Sequence, residues 1–251
     1  MGDVFSEKLM QWREYTETPW ARVRYATVAE VLRRQSDALG GRLRVLDVGG
    51  GDGHDALPLA QAGHDVTIVD PSQAWLDEAQ RRAEAADVGI RTVLGDLDEL
   101  PRGEWDLVLC HFVLRYRPAD AGDLAALAEC VRPGGRLSVM DVNPAGRVLR
   151  ALVGEGPSAA AAALHAERIA VQTFQTDARK VEVDEVEADA AASGLTAIGR
   201  YGNRIANDLL LDNVAKHDPA YFDELLELEL ELCDREPFNR IGFAWQLIFE
   251  R

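Results

Sequence analysis

The sequence predicts a doubly wound α/β fold, in which a mostly parallel sheet carries helices on both faces and helical cap insertions. Three observations support this. Between residues 41 and 143, short apolar runs alternate with stretches of helical periodicity, the pattern left by strands that pair in parallel through crossover helices. The first run ends in a glycine cluster, Gly49-Gly50-Gly51. Aspartates stand at or near the ends of the first three runs, at Asp47, Asp70 and Asp96.

Residues 1–40 read as an N-terminal helical lid, with apolar spacing near 3.6 from Ala26 to Arg34. Residues 41–143 form the core. Its first strand is Leu43 to Val48, followed by a helix from Asp55 to Ala62 that Gly63 closes as a C-terminal cap. The second strand is Val66 to Val69, and the second helix runs from Gln73 to Ala86. Strands follow at Ile90 to Leu94 and Trp105 to Cys110, then a helix from Asp120 to Val131 and a strand from Arg136 to Val142. After Asn143 the alternation stops. Residues 145–180 read as helical and irregular, alanine-rich at 158–164, and Val183 to Ser193 as another helix. Two late strands, Leu195 to Ile205 and Ile241 to Phe249, flank an acidic helix from Ala220 to Leu232. Asp218-Pro219 starts that helix with a capping side chain and a proline at the first helical position. Residues 144–251 thus combine cap insertions, at 145–180 and 206–236, with the last helix and two strands of the same sheet. Open α/β sheets bind ligands at their strand C-terminal ends, where these insertions are expected to sit.

The 251 residues include 27 basic and 43 acidic side chains, a formal charge of −16. Nucleic-acid binders usually carry the opposite sign, so a bulky polyanion is a disfavoured partner. Cys110, Cys130 and Cys233 are odd in number and far apart, which fits a reducing compartment without disulfides or a metal site. With no signal-like or membrane-spanning apolar stretch, the expectation is a cytoplasmic monomer or homodimer that needs no metal.

The segment Val45 to Gly53 carries most of the functional information. Its glycines stand at 49, 51 and 53, with His54 where a dinucleotide fingerprint places its third glycine. The spacing D-x-G-x-G-x-G suits a ligand with no pyrophosphate, and Asp47 suits a cationic amino-acid moiety beside a sulfonium. Asp70, with Pro71 and Ser72, ends the second strand where a carboxylate accepts from both ribose hydroxyls. Asp96 follows the third strand, placed to accept from an adenine amino group while Leu97 packs on the ring.

Taken together these segments resemble the class I S-adenosylmethionine methyltransferase superfamily. Asp47 to Gly53, Asp70 to Ser72, Gly95-Asp96-Leu97, Trp105 to His111 and Val131 to Arg136 stand in the family's order. The resemblance covers residues 40–143. It implies a Rossmann-like seven-stranded sheet and S-adenosyl-L-methionine as cofactor, held by Asp47, Gly49, Gly50, Gly51, Asp70, Pro71, Ser72, Asp96 and Leu97, with His111 near the methyl donor. A closer resemblance, to the bacterial carboxymethoxyuridine tRNA methyltransferases, rests on Gly202 to Leu210, Leu225 to Glu229, Cys233 and Glu236-Pro237. His111 and Asn143 match that family too, and Arg204 and Asp208 are the residues it carries over to the acceptor.

Further candidates come from the residues themselves. Trp12, Tyr15 and the arginines at 22 and 24 suit a lid, with Arg22 or Arg24 clamping the donor carboxylate. His111 is a candidate base, as is a His217–Tyr221 pair; His165 is a weaker one. Glu224, Glu227, Glu229 and Glu231 read as a solvated helix face. The leading expectation is methyl transfer to a small organic acceptor through O, N or C, as in specialised metabolism. The alternative is a tRNA uridine carboxylate. A silent nucleoside-binding module and a nicotinamide dehydrogenase are the competing classes.

Overall fold

A computed structural model describes residues 11–101, 103–171 and 176–251. Residues 1–10 of the expected lid, and 172–175 of the expected helical insertion, lie outside the described residues. Seven strands form one sheet: β1 (Arg44–Val48), β2 (Asp65–Asp70), β3 (Arg91–Leu94), β4 (Trp105–His111), β5 (Val131–Val142), β8 (Thr196–Asn203) and β9 (Ala244–Glu250). Their order is β3-β2-β1-β4-β5-β9-β8, and β1–β2, β1–β4, β2–β3 and β4–β5 pair in parallel. Strands β1, β2 and β4 are buried along nearly their whole length. A parallel strand covered on both faces needs this, and it explains their continuous apolar runs.

The chain divides into two compact units. One comprises Val28–Asp141, Val181–Tyr201 and Trp245–Arg251, and so holds most of the sheet. Its core joins Leu46, Val108, Val139 and Leu247 from the sheet to Leu127 and Val186. Those two lie on the covering helices Asp123–Cys130 and Val183–Ala192. The glycine turn after β1 leads into a short helix, Leu57–Gln61. That helix starts later than predicted because residues 51–56 remain in turns. Gly63 adopts a φ of 91°, as a helix-ending glycine should.

The other unit comprises the described residues up to Thr27, together with Val142–Lys180 and Gly202–Ala244. Its first helical segment, 11–16, breaks at Glu17. The Thr18 hydroxyl then accepts from Ala21 N (3.3 Å), opening the helix Pro19–Leu39. The described residues between 145 and 180 form more regular structure than the sequence suggests. Helices Pro144–Glu155 and Pro157–His165 pack on each other and precede an antiparallel pair, β6 (Arg168–Val171) with β7 (Thr176–Arg179). Asp218 caps the helix Pro219–Leu232 as predicted, accepting from Tyr221 N at 3.0 Å.

The solvated-face reading of that last helix needs one correction. Glu224, Glu227 and Glu231 are exposed, but Glu229 is fully buried. Its carboxylate accepts from Ile205 N (2.8 Å) and Asn207 N (2.7 Å), closing the loop that follows β8.

Candidate active site

Strand β1 carries Asp47 into the interior, where it is 1% exposed. The chain then turns through Gly49, Gly51 and Gly53 at φ of 70°, 53° and 79°, a region only glycine enters without strain. At Gly50 the constraint is space: a Cβ would run into the Asp47 carboxylate and the Ile68 side chain. Gly49 N donates to Val69 O at 2.7 Å, which ties the turn to β2.

Asp70, the last residue of β2, faces the same turn. Its Oδ2 accepts from Gly51 N (3.0 Å) and its Oδ1 from Ser72 N (2.9 Å). Burial pushes its carboxyl above the ordinary range, and the two backbone donors pull the other way. These bonds leave lone pairs on both oxygens, so an oriented acceptor remains for a diol. Pro71 is exposed and Ser72 half-buried. Past β3, Asp96 is exposed and accepts from Asp98 N at 2.8 Å, while Leu97 is buried in the core cluster.

His111 ends β4 beside this turn, with its ring held from both sides. Nδ1 lies 2.8 Å from Asp55 Oδ2 and Nε2 lies 2.8 Å from Ser138 Oγ, and Ser138 also accepts from Gln246 Nε2 at 2.9 Å. The ring therefore bridges the Asp55 carboxylate and the Ser138 hydroxyl. Both ring nitrogens of His111 are thus hydrogen-bonded, in the order carboxylate, imidazole, hydroxyl. Sequence reasoning missed two neighbours. Asp141, at the end of β5, pairs with Arg115 (Nε–Oδ1 2.7 Å), both buried. Arg115 also lies 4.9 Å from the Phe112 ring, and Phe112 takes a positive φ of 60°.

The second group of predicted residues lies in the other unit. Arg204, at φ 55° and 5% exposed, forms a two-pronged pair with Asp208, Nε–Oδ1 and Nη2–Oδ2 both at 2.8 Å. Its guanidinium stacks 4.2 Å from the Phe243 ring, and Arg150 reaches within 3.7 Å of Asp208. Asn143 is a structural joint: Oδ1 caps a helix through Ala145 N and Nδ2 donates to Arg240 O. The buried Lys216, another residue the sequence reading missed, donates to Asn207 O, Leu210 O and Asn213 Oδ1 at 2.7–2.9 Å. Burial pulls its ammonium below the usual lysine range. Trp12 and Tyr15 lie with ring centroids 5.4 Å apart. Arg24 is buried and stacks 4.3 Å from the Tyr25 ring, whereas Arg22 is exposed over Phe222. His217 is exposed and Tyr221 half-buried.

Comparison with known proteins decides the family. Residues 45–135 match a methyltransferase domain model. Over 80% of its length the chain is similar to the tRNA 5-carboxymethoxyuridine methyltransferases of Escherichia coli O157:H7, at 30% identity, and of strain K12, at 31%, covering 77% of each. This chain is an S-adenosylmethionine-dependent methyltransferase, of the same family as those two enzymes. The magnesium protoporphyrin IX methyltransferase of Synechocystis PCC 6803, solved with S-adenosylhomocysteine bound, superposes with a TM-score of 0.63. That match covers 98% of this chain and 94% of the other at 20% identity, and it shows a shared fold. The methyltransferase therefore uses S-adenosylmethionine, and among its described residues no helix is long and apolar enough to cross a membrane.

Proposed function

We propose that this methyltransferase esterifies a small organic acid, moving the donor methyl group onto a carboxylate oxygen. The observation that carries the reading is the similarity to the two Escherichia coli enzymes, whose names give a carboxymethoxy group on the methylated molecule. Hydroxyl, amine and carbon acceptors usually shed a proton as they react, whereas a carboxylate arrives ionised at neutral pH. An acceptor of that kind needs no base.

The turn suits the donor on its own terms. A Cβ at Gly49 would strike Val113, and one at Gly50 would strike Asp47 and Ile68, so the turn keeps its path only with glycine; Asp47, Asp70 and Asp96 offer carboxylates suited to the methionyl ammonium, the ribose diol and the adenine amino group. Pro71, Ser72 and Leu97, which follow Asp70 and Asp96 in the chain, are the further residues proposed for the donor. S-adenosylmethionine supplies a sulfonium-activated methyl group. The chain's own residues orient the two partners, exclude water and leave the proton inventory unchanged. As the acceptor oxygen takes the methyl carbon, the C–S bonding pair stays on sulfur and no proton moves. Arg204, held rigid by Asp208 and Phe243, is the proposed acceptor anchor, with Trp12, Tyr15 and Asn143 shaping its surroundings. The net charge of −16 favours a small acid over a polyanion.

The names of the two Escherichia coli relatives support a second reading, a carboxylate on a tRNA uridine. One experiment separates these. Donor labelled in its methyl group is incubated with the enzyme and either total tRNA or a small-molecule extract. Label is then tested for release as methanol by mild alkali. Release from the small-molecule fraction supports the first reading, and release from tRNA supports the second. Label that resists alkali in both fractions refutes esterification, because ether, amine and carbon methyl groups do not hydrolyse.

A further inference from the structure

Beneath the glycine turn lies a set of charged groups with no part in the assignments above. Asp52, 4% exposed between Gly51 and Gly53, has its Oδ2 2.8 Å from His54 Nδ1. His54 Nε2 lies 2.6 Å from Arg82 Nη2, and Arg82 Nη1 lies 3.7 Å from Asp52 Oδ2. Arg82 belongs to the helix Gln73–Ala85, so these contacts join the turn to that helix. An arginine has donors only, so Nε2 must accept. Nδ1 therefore carries the proton and donates to Asp52, and the ring bridges a cation and an anion while itself neutral.

From this geometry we infer that His54 is a positioning residue for the donor, working only in its neutral form, with Asp52 and Arg82 as the groups that hold it. The inference rests on the reading that the 49–53 turn cradles the donor. Protonating Nε2 removes the acceptor Arg82 uses and sets two cations face to face, so the turn loses its tie to the helix. Arg81, paired with Glu78 on the same helix, and Asp70 at the end of β2 also feel the Asp52 charge. A second tie joins Asp55 to His111.

Calorimetric titration with S-adenosylhomocysteine across pH tests this. Wild type is expected to bind about five-fold more weakly at about pH 5.5 than at about pH 8. His54→Gln, whose amide offers one acceptor and one donor and does not titrate, is expected to stay within about two-fold of wild type at the higher pH and to show a flatter profile. His54→Ala is expected to weaken binding about ten-fold at about pH 8. Should that variant fail to fold, Arg82→Met gives the same readout, since the weakening in acid requires the facing cation. Asp70 titrates in every variant and drops out of the comparison. Superimposable wild-type and His54→Gln profiles, or wild-type affinity in His54→Ala, overturn the relay alone. A wild-type protein that binds no S-adenosylhomocysteine at any pH overturns the donor-turn assignment beneath it.

Discussion

Glu229→Gln should destabilise the protein by an amount the structure allows to be worked out. The wild-type carboxylate accepts two backbone donors, Ile205 N and Asn207 N, from a fully buried position. The amide keeps one oxygen and turns an NH2 group toward the other donor, so one buried N–H loses its acceptor. Such a loss costs about 1–3 kcal/mol, and for a chain of this size the melting temperature should fall by roughly 5 °C. The pH dependence gives a second handle. Burial holds the Glu229 carboxyl above its ordinary value of 4.5. Between that value and the folded one, the native chain binds more protons than the unfolded chain, so acidification through this window stabilises wild type. The variant gains nothing from that site. The stability gap between the two proteins should therefore widen as pH falls, which thermal melts at several pH values would measure. Equal melting temperatures to within about 1 °C, or a gap that narrows in acid, would refute the argument.

Three further outcomes are expected. Gly50→Ala places a methyl group against Asp47 and Ile68; overpacking of this kind costs about 1–3 kcal/mol, and donor affinity measured by calorimetry should drop with the melting temperature. Asp70→Asn replaces one carboxylate oxygen facing Gly51 N or Ser72 N with a donor, so S-adenosylhomocysteine should bind at least about ten-fold more weakly; affinity within two-fold of wild type would remove Asp70 from the ribose. His111→Asn breaks the bridge from Asp55 to Ser138, lowering stability by about 1–3 kcal/mol, yet the pH profile of kcat should keep its shape, because no proton passes through the ring. A lost acidic limb in that profile would mark His111 as a base.

The core strands were legible because a parallel strand buried on both faces is mostly apolar, as residues 43–48 and 66–69 are, with Arg44, Asp47 and Thr67 the exceptions. Asp70 was legible for a related reason: a charge that ends an apolar run marks the point where the strand leaves the interior. What the sequence hid was of two kinds. Arg115 and Asp141 are 26 residues apart, as His111 and Ser138 are nearly so, and they meet only because β4 and β5 pair in register from Leu107–Arg136 to His111–Met140. Arg82 and His54 meet in the same way, across a helix and a turn 28 residues apart. Glu229 was hidden by composition, since four glutamates in eight residues suggest solvent. The spacing held the better signal: positions 222, 225 and 229 recur on one helical stripe, and Phe222 and Leu225 are buried. The strand pair at 168–179 was masked by its polar residues, Arg168, Thr176, Asp177 and Arg179, which give no two-residue alternation to read.

Asp47, Asp70, Asp96, the glycine turn and its two histidine ties all belong to one compact unit, whereas Arg204, Asp208, Lys216 and Glu229 belong to the other. That partition makes the enzyme separable as an engineering target. Rewriting the loop 204–216, which carries the proposed acceptor anchor Arg204, leaves every carboxylate proposed for the nucleoside in place. A library diversified there should retain its grip on S-adenosylmethionine while its acceptor preference drifts, and screening members first for retained nucleoside affinity would sort misfolded variants from merely retargeted ones.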